Sequence, residues 1–182
     1  TFPSEAGSTS VNNGLQVLGG YGFCTDLSLQ QYYRDIRISS LYEGTTGIQS
    51  QDLLARKVTL QNGKALALLV DEMMRTISLA SNYDDLKPYA DELSSSLQLS
   101  QKILQKLMPF AMKGNYERYL SDANLFMEYM SIVVMSWLWL EMAVNSKEKI
   151  TANDLKHSKI FYESKIHTMK FYFKYELPKT LS

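Results

Sequence analysis

From Gly63 to residue 182 the chain carries a single further glycine, Gly114, and apolar residues recur there at intervals of three and four. Glycine is the residue that most readily ends a helix, so its scarcity leaves room for long ones. Leu66, Leu69, Val70, Met73, Met74 and Ile77 share one helical face. Leu93, Leu97, Leu104 and Leu107 form a heptad-like stripe, with Ser100 on the same side. From Leu120 to Val144, through Trp137 and Trp139, the pattern is apolar nearly all round, as in a helix buried on several sides. Leu155, Tyr162, Met169 and Tyr172 mark a last helix that Pro178 ends. Short connections at 82–85 and 113–115 predict antiparallel neighbours, hence a helical bundle. No alternation of period two persists long enough for a sheet. The fold class is all-α.

The stretch before Gly63 is punctuated differently. Ser4 and Glu5 open a predicted helix to Leu18, with Val11, Leu15 and Leu18 on one face, and Gly19-Gly20 stops it. A short helix starts at Asp26 or Ser28 and runs through Arg34, and Leu41-Tyr42-Glu43-Gly44 reads as a turn. A third helix begins near Thr45 or Thr46 and reaches about Leu60. Thr46 and Gln49 have capping-box spacing, and Asn62-Gly63 is the break. This gives two units, residues 1–62 and 63–182.

Composition narrows the function. Lys plus Arg equals Asp plus Glu at 19 each, so the basic footprint of a nucleic-acid binder is missing. One cysteine, Cys24, forms no internal disulfide, and His157 and His167 are spaced wrongly for a shared metal face. No metal site is therefore expected. The longest uncharged apolar stretch, Tyr129–Leu140, is shorter than the roughly 20 residues a spanning helix needs. With no secretion-like start, the expected compartment is the cytoplasm. Gly20-Tyr21-Gly22 lacks the third glycine and the preceding strand of a dinucleotide loop.

Glu43 stands apart. It lies between Tyr42 and Gly44, after Ile38 and Leu41, just ahead of a helix. A carboxylate held among apolar and aromatic groups has its pKa raised by desolvation, which suits a general base near neutral pH. A surface glutamate favoured by the dipole of the next helix has the same sequence setting.

Two motifs occur together: Gln16-Val17-Leu18-Gly19-Gly20-Tyr21-Gly22-Phe23, then, after Asp26 and Arg34-Asp35, Leu41-Tyr42-Glu43-Gly44-Thr45. In this order and separation they resemble the C-terminal helical domain of the acyl-CoA dehydrogenases, over roughly residues 1–60. The aromatic helix around Ser136-Trp137-Leu138-Trp139 and the segment from Phe161-Tyr162 to Leu177-Pro178 resemble the extra helical domain of one branch. That branch includes enzymes similar to 3-methylmercaptopropionyl-CoA dehydrogenase.

The resemblance implies an FAD-dependent oxidation of an acyl-CoA to the 2,3-enoyl-CoA, with electrons passing to an electron-transfer flavoprotein. It also implies a homodimer or homotetramer of a longer protein, of which this chain is a C-terminal part inactive by itself. Glu43 matches the family's base, and its backbone N–H a donor to the thioester carbonyl. Tyr42 and Gly44 match positions lining the substrate pocket. Thr45 matches a hydroxyl on FAD, while Gln16 and Gly20 match contacts to the flavin nucleotide of a neighbouring subunit. Gln31 stands where many members carry Lys or Arg, and Gly47 where some carry a polar residue that touches FAD. A catalytically silent helical assembly module, and a self-contained four-helix scaffold, are the alternative classes.

Overall fold

A computed structural model describes residues 1–181, among which there are helices, turns and bends but no strand. The order is α1 (Phe2–Leu18), α2 (Gly20–Phe23), α3 (Leu29–Ile36), a 3-10 turn (Arg37–Ser40) and α4 (Thr46–Asp52). A π-helical segment (Leu53–Lys57) continues α4. Then come α5 (Lys64–Ala80), α6 (Lys87–Met112), α7 (Tyr116–Leu120), α8 (Ala123–Thr151), α9 (Lys159–Tyr175) and a final 3-10 turn (Leu177–Leu181). The all-α reading holds.

The long bundle is organised around α8, which packs most extensively on α9 and also meets α4, α5 and α6. Met73 and Ile77 from α5, Leu93 and Leu97 from α6, Val133 and Leu140 from α8, and Met169 and Phe173 from α9 form the main core. Removing each such side chain from water stabilises the fold by roughly 1.5–3 kcal/mol. Two polar pairs form inside the bundle. Trp137 Nε1 donates to Thr76 Oγ1 at 2.8 Å, and Tyr129 O–H donates to the Ser96 carbonyl at 2.6 Å.

The segment Tyr116–Thr151, α7 through α8, is by length and composition apolar enough to cross a membrane, with a mean hydropathy of 1.3 in its best window. The uncharged stretch Tyr129–Leu140 lies inside this segment and is by itself too short to span. The wider window reaches spanning length because it admits a charged residue, with apolar residues flanking Glu128 and Glu141. Neighbours on several sides bury 39 % of that window.

Before residue 50 the packing is thinner. Gly7 and Gly14, two turns apart on α1, face Ile36 and Leu29, seven apart on α3. A Cβ on Gly14 would lie 2.5 Å from Leu29 Cδ2, so glycine sets this antiparallel approach. Gly22 has the same role against Leu15, whose carbonyl oxygen lies 2.5 Å from where its Cβ would be. The expected Val11-Leu15-Leu18 face is not a core, since α1 contains no buried residue. Val17, Tyr21, Phe23, Tyr32 and Tyr42 are exposed, a concentration of apolar surface that a chain normally covers with something else.

Two helix starts differ from expectation. The N-cap of α1 is Thr1 with Pro3 in the first turn, and Ser4 instead donates to the Ser39 carbonyl at 3.2 Å. Leu155 lies outside α9, because Asn153 at φ 51° turns the chain and Ser158 caps the helix by accepting from Phe161 N–H.

The two parts of the chain share a second, smaller core: Leu54, Val58, Tyr119, Ala123 and Phe126. Within the π segment, Val58 N–H reaches back five residues to the Leu53 carbonyl at 3.0 Å, and the Leu54 carbonyl takes the Tyr119 hydroxyl at 2.8 Å. Such a bulge survives where an outside donor pairs with the freed backbone carbonyl. Tyr119 is 2 % exposed, so Tyr119→Phe leaves a buried carbonyl unpaired. A loss of about 1–3 kcal/mol in denaturant unfolding is expected; an unchanged midpoint would show that water reaches Leu54.

Candidate functional site

The turn that presents Glu43 is built from three backbone decisions. The 3-10 turn ends with the Ile38 carbonyl accepting from Leu41 N–H at 3.0 Å and Tyr42 N–H at 3.2 Å. Glu43 then enters the left-handed region at φ 59°, and Gly44 follows at φ 95°. For a non-glycine residue that conformation costs roughly 1–2 kcal/mol, so neighbouring groups must hold it. Thr45, at φ −68° and ψ 167°, is the N-cap of α4 and makes no side-chain cap bond.

The expected capping box does not form, because both of its side chains are engaged elsewhere. Thr46 Oγ1 donates to Glu5 Oε1 at 3.0 Å. Gln49 Nε2 donates to the carbonyls of Glu43 and Gly44, each at 3.2 Å, while its Oε1 accepts from the Thr1 hydroxyl at 3.1 Å. The next residue anchors the helix to the bundle. Ser50 is buried, 2.8 Å from the Gly47 carbonyl and 2.5 Å from Asn124 Oδ1 at the start of α8. In this way the bundle fixes α4, and α4 fixes the turn.

Glu43 lines two adjoining clefts. One, of about 670 Å³, is shared with Asp52, Arg56 and Lys57; the other, of about 300 Å³, with Ser39, Tyr42 and Gly44. Its carboxylate is solvent-exposed, contrary to the expected apolar enclosure: Tyr42 and Ile38, its sequence neighbours, are themselves half exposed and do not close over it. Its backbone N–H donates to nothing among the described residues. The other carboxylate of the larger cleft, Asp52, is committed. A hydrogen bond from Arg56 Nε at 2.5 Å holds it below the ordinary carboxylate range, against an opposing desolvation and with the charges of Arg56 and Lys57 adding smaller contributions in the same direction.

Tyr42, Glu43 and Gly44 are thus brought together on one turn, and Thr45 follows in the chain. Gln16 and Gly20 are not part of that cluster. Gln16 lies near the far end of α1, about 21 Å along the helix axis from Phe2 at 1.5 Å per residue, while Thr1 at the near end touches Gln49. Both Gln16 and Gly20 are exposed, and a Cβ on Gly20 or on Gly47 would meet no atom within 4 Å. Gln49 is the residue the sequence reading misassigned. Its amide, six positions beyond Glu43, offers the right length and donors, but the box spacing to Thr46 was the stronger local signal.

Residues 2–58 match the family model described as acyl-CoA dehydrogenase, C-terminal domain, and residues 69–182 the one described as acetyl-CoA dehydrogenase C-terminal like. The chain is 30 % identical over 181 residues to a broad-specificity linear acyl-CoA dehydrogenase of Mycobacterium tuberculosis, covering 96 % of this chain and 30 % of that protein. It is 34 % identical over 106 residues to 3-methylmercaptopropionyl-CoA dehydrogenase of Ruegeria pomeroyi, covering 58 % and 16 %. Butyryl-CoA dehydrogenase of Syntrophomonas wolfei is 28 % identical over 175 residues, covering 94 % and 28 %. The chain spans less than a third of the length of each of these relatives.

Proposed function

Because the chain belongs to the acyl-CoA dehydrogenase family, we propose that it supplies the general base of an FAD-dependent oxidation of an acyl-CoA to the 2,3-enoyl-CoA. The observation that carries this reading is Glu43 itself. It is a carboxylate on a left-handed turn, facing two clefts, with its own backbone N–H uncommitted. A thioester α-proton is too weakly acidic for a carboxylate unless negative charge developing on the carbonyl oxygen is stabilised. One residue offers both functions: the Glu43 carboxylate accepts the α-proton and the Glu43 N–H donates to the carbonyl oxygen. The electron pair of the broken Cα–H bond becomes the π bond between C2 and C3, as the β-hydrogen leaves with its electron pair. FAD, when bound, would supply the hydride acceptor for that hydrogen.

The residues fit such a cofactor. Thr45 is exposed and its hydroxyl is not used as a cap, and no atom lies within 4 Å of where a Cβ of Gly20 or Gly47 would sit, so flat groups can approach. Thr45 would hold FAD beside Glu43. Gln16 and Gly20, at the other end of α1, would hold the flavin nucleotide of a neighbouring subunit. Tyr42 and Gly44 would line the acyl pocket. The exposed aromatic surface of α1–α3 supports burial against other parts of a longer protein and against further subunits, as a homodimer or homotetramer. Electrons would leave to an electron-transfer flavoprotein. We place the division between units at residue 62, supported by three consecutive left-handed residues, Gln61, Asn62 and Gly63.

Since Glu43 lacks enclosing walls here, the segment alone should not turn over substrate. The test is the absorption spectrum of the full-length protein before and after anaerobic addition of saturated acyl-CoAs. An FAD spectrum bleached by substrate is expected. A protein that holds no flavin and cannot be reconstituted with FAD would favour the catalytically silent assembly module instead.

A further inference from the structure

We propose that Gln49 is a positioning residue: by donating from one amide nitrogen to the carbonyls of both Glu43 and Gly44, it holds the turn that aims the base and its backbone N–H. The proposal rests on the reading of Glu43 as the base.

The assignment follows from the network. Gln49 Oε1 accepts from the Thr1 hydroxyl at 3.1 Å, which leaves the NH₂ end facing the turn, where only acceptors await it. Two left-handed residues in succession, Glu43 at φ 59° and Gly44 at φ 95°, relax easily toward extended backbone unless their carbonyls are held. On the N-terminal side the chain is tied only as far as Tyr42, through the Ile38 carbonyl. Beyond it, the two Gln49 bonds are the hydrogen bonds that fix the peptide planes on either side of Gly44. The backbone of Gln49 is anchored through the next residue, Ser50, which is buried and hydrogen-bonded to Asn124. The turn is therefore referenced to the bundle through α4. A misplacement of about 1 Å at the reacting groups costs on the order of a hundredfold in rate.

The experiment uses the full-length flavoprotein. Gln49→Met keeps length and removes the donors. We expect the rate of flavin reduction per bound FAD to fall about 10- to 100-fold, with FAD content kept and the apparent affinity for acyl-CoA changed little. The infrared carbonyl stretch of the bound thioester should move toward its value in free acyl-CoA, reporting a weakened bond from Glu43 N–H. In Glu43→Gln, by contrast, that stretch should stay shifted although turnover is lost. Thr1→Val, which removes only the hydroxyl that orients the amide, should show the same two changes in milder form. Gln49→Met with wild-type rate and wild-type carbonyl shift overturns the proposal. If that variant fails to retain FAD, wild-type values in Thr1→Val overturn it instead. A wild-type protein whose flavin no acyl-CoA bleaches overturns the base reading first, and is told apart because no variant is needed to see it.

Discussion

Replacing Glu43 with Gln in the full-length protein lowers flavin reduction by acyl-CoA about 100- to 10,000-fold, the range for losing a general base. The amide keeps the side-chain shape, and the backbone N–H that would bind the thioester carbonyl is untouched. FAD content and acyl-CoA binding should therefore change little, and the loss should appear in the bleaching rate. Rescue by a neighbour is not expected. Asp52 shares the larger cleft, but Arg56 holds it at 2.5 Å and keeps its pKa low, which makes it a poor proton acceptor. Glu5 accepts from the Thr46 hydroxyl, and Asp35 belongs to α3, eight residues away in the chain. Stopped-flow absorbance of the flavin measures the effect. Bleaching of Glu43→Gln at the wild-type rate would mean that another group takes the proton.

The largest expected effect on stability lies far from that turn. Phe173 is 1 % exposed, packs in the main core and meets Tyr89 edge-on with ring centroids 5.3 Å apart. Phe173→Ala removes the buried area, leaves a cavity between α6 and α9, and loses the ring pair. About 3–5 kcal/mol is expected from such a truncation, of which the aromatic pair accounts for roughly 0.5–1.5. A domain's whole margin is only about 5–15 kcal/mol, so the variant should be close to unfolding at modest denaturant. Phe173→Leu, which refills much of the space, should recover a large part. Equilibrium unfolding followed by tryptophan fluorescence reads both, since Trp137 and Trp139 lie partly buried against the same core. A loss under 1 kcal/mol in Phe173→Ala would show that the helices collapse into the space.

The bundle was legible because its determinants are local: apolar spacing on α5, α6 and α8, and stops at Gly19 and Gly63, both at positive φ. The turn before α4 was legible in outline for the same reason. Its fastening was not. Thr46 and Gln49 have the spacing of a box, yet Thr46 binds Glu5 from α1 and the Gln49 amide is oriented by the Thr1 hydroxyl, partners that only tertiary packing supplies. The π segment at Leu53–Lys57 depends on Tyr119, 65 residues away, which no window along the chain reveals. The Glu43 carboxylate is expected among apolar groups, but its sequence neighbours Tyr42 and Ile38 are themselves half exposed. Tyr42 lines one cleft with Glu43 but does not close it.

The claim that Glu43 removes the α-proton is tested most directly by exchange of that proton with solvent. Full-length protein is incubated anaerobically in D₂O with a saturated acyl-CoA, and deuterium at Cα is followed by NMR for wild type and Glu43→Gln at equal FAD content. Wild type should wash deuterium into Cα, and Glu43→Gln should do so at least a hundredfold more slowly. Equal wash-in by the two proteins would contradict the assignment.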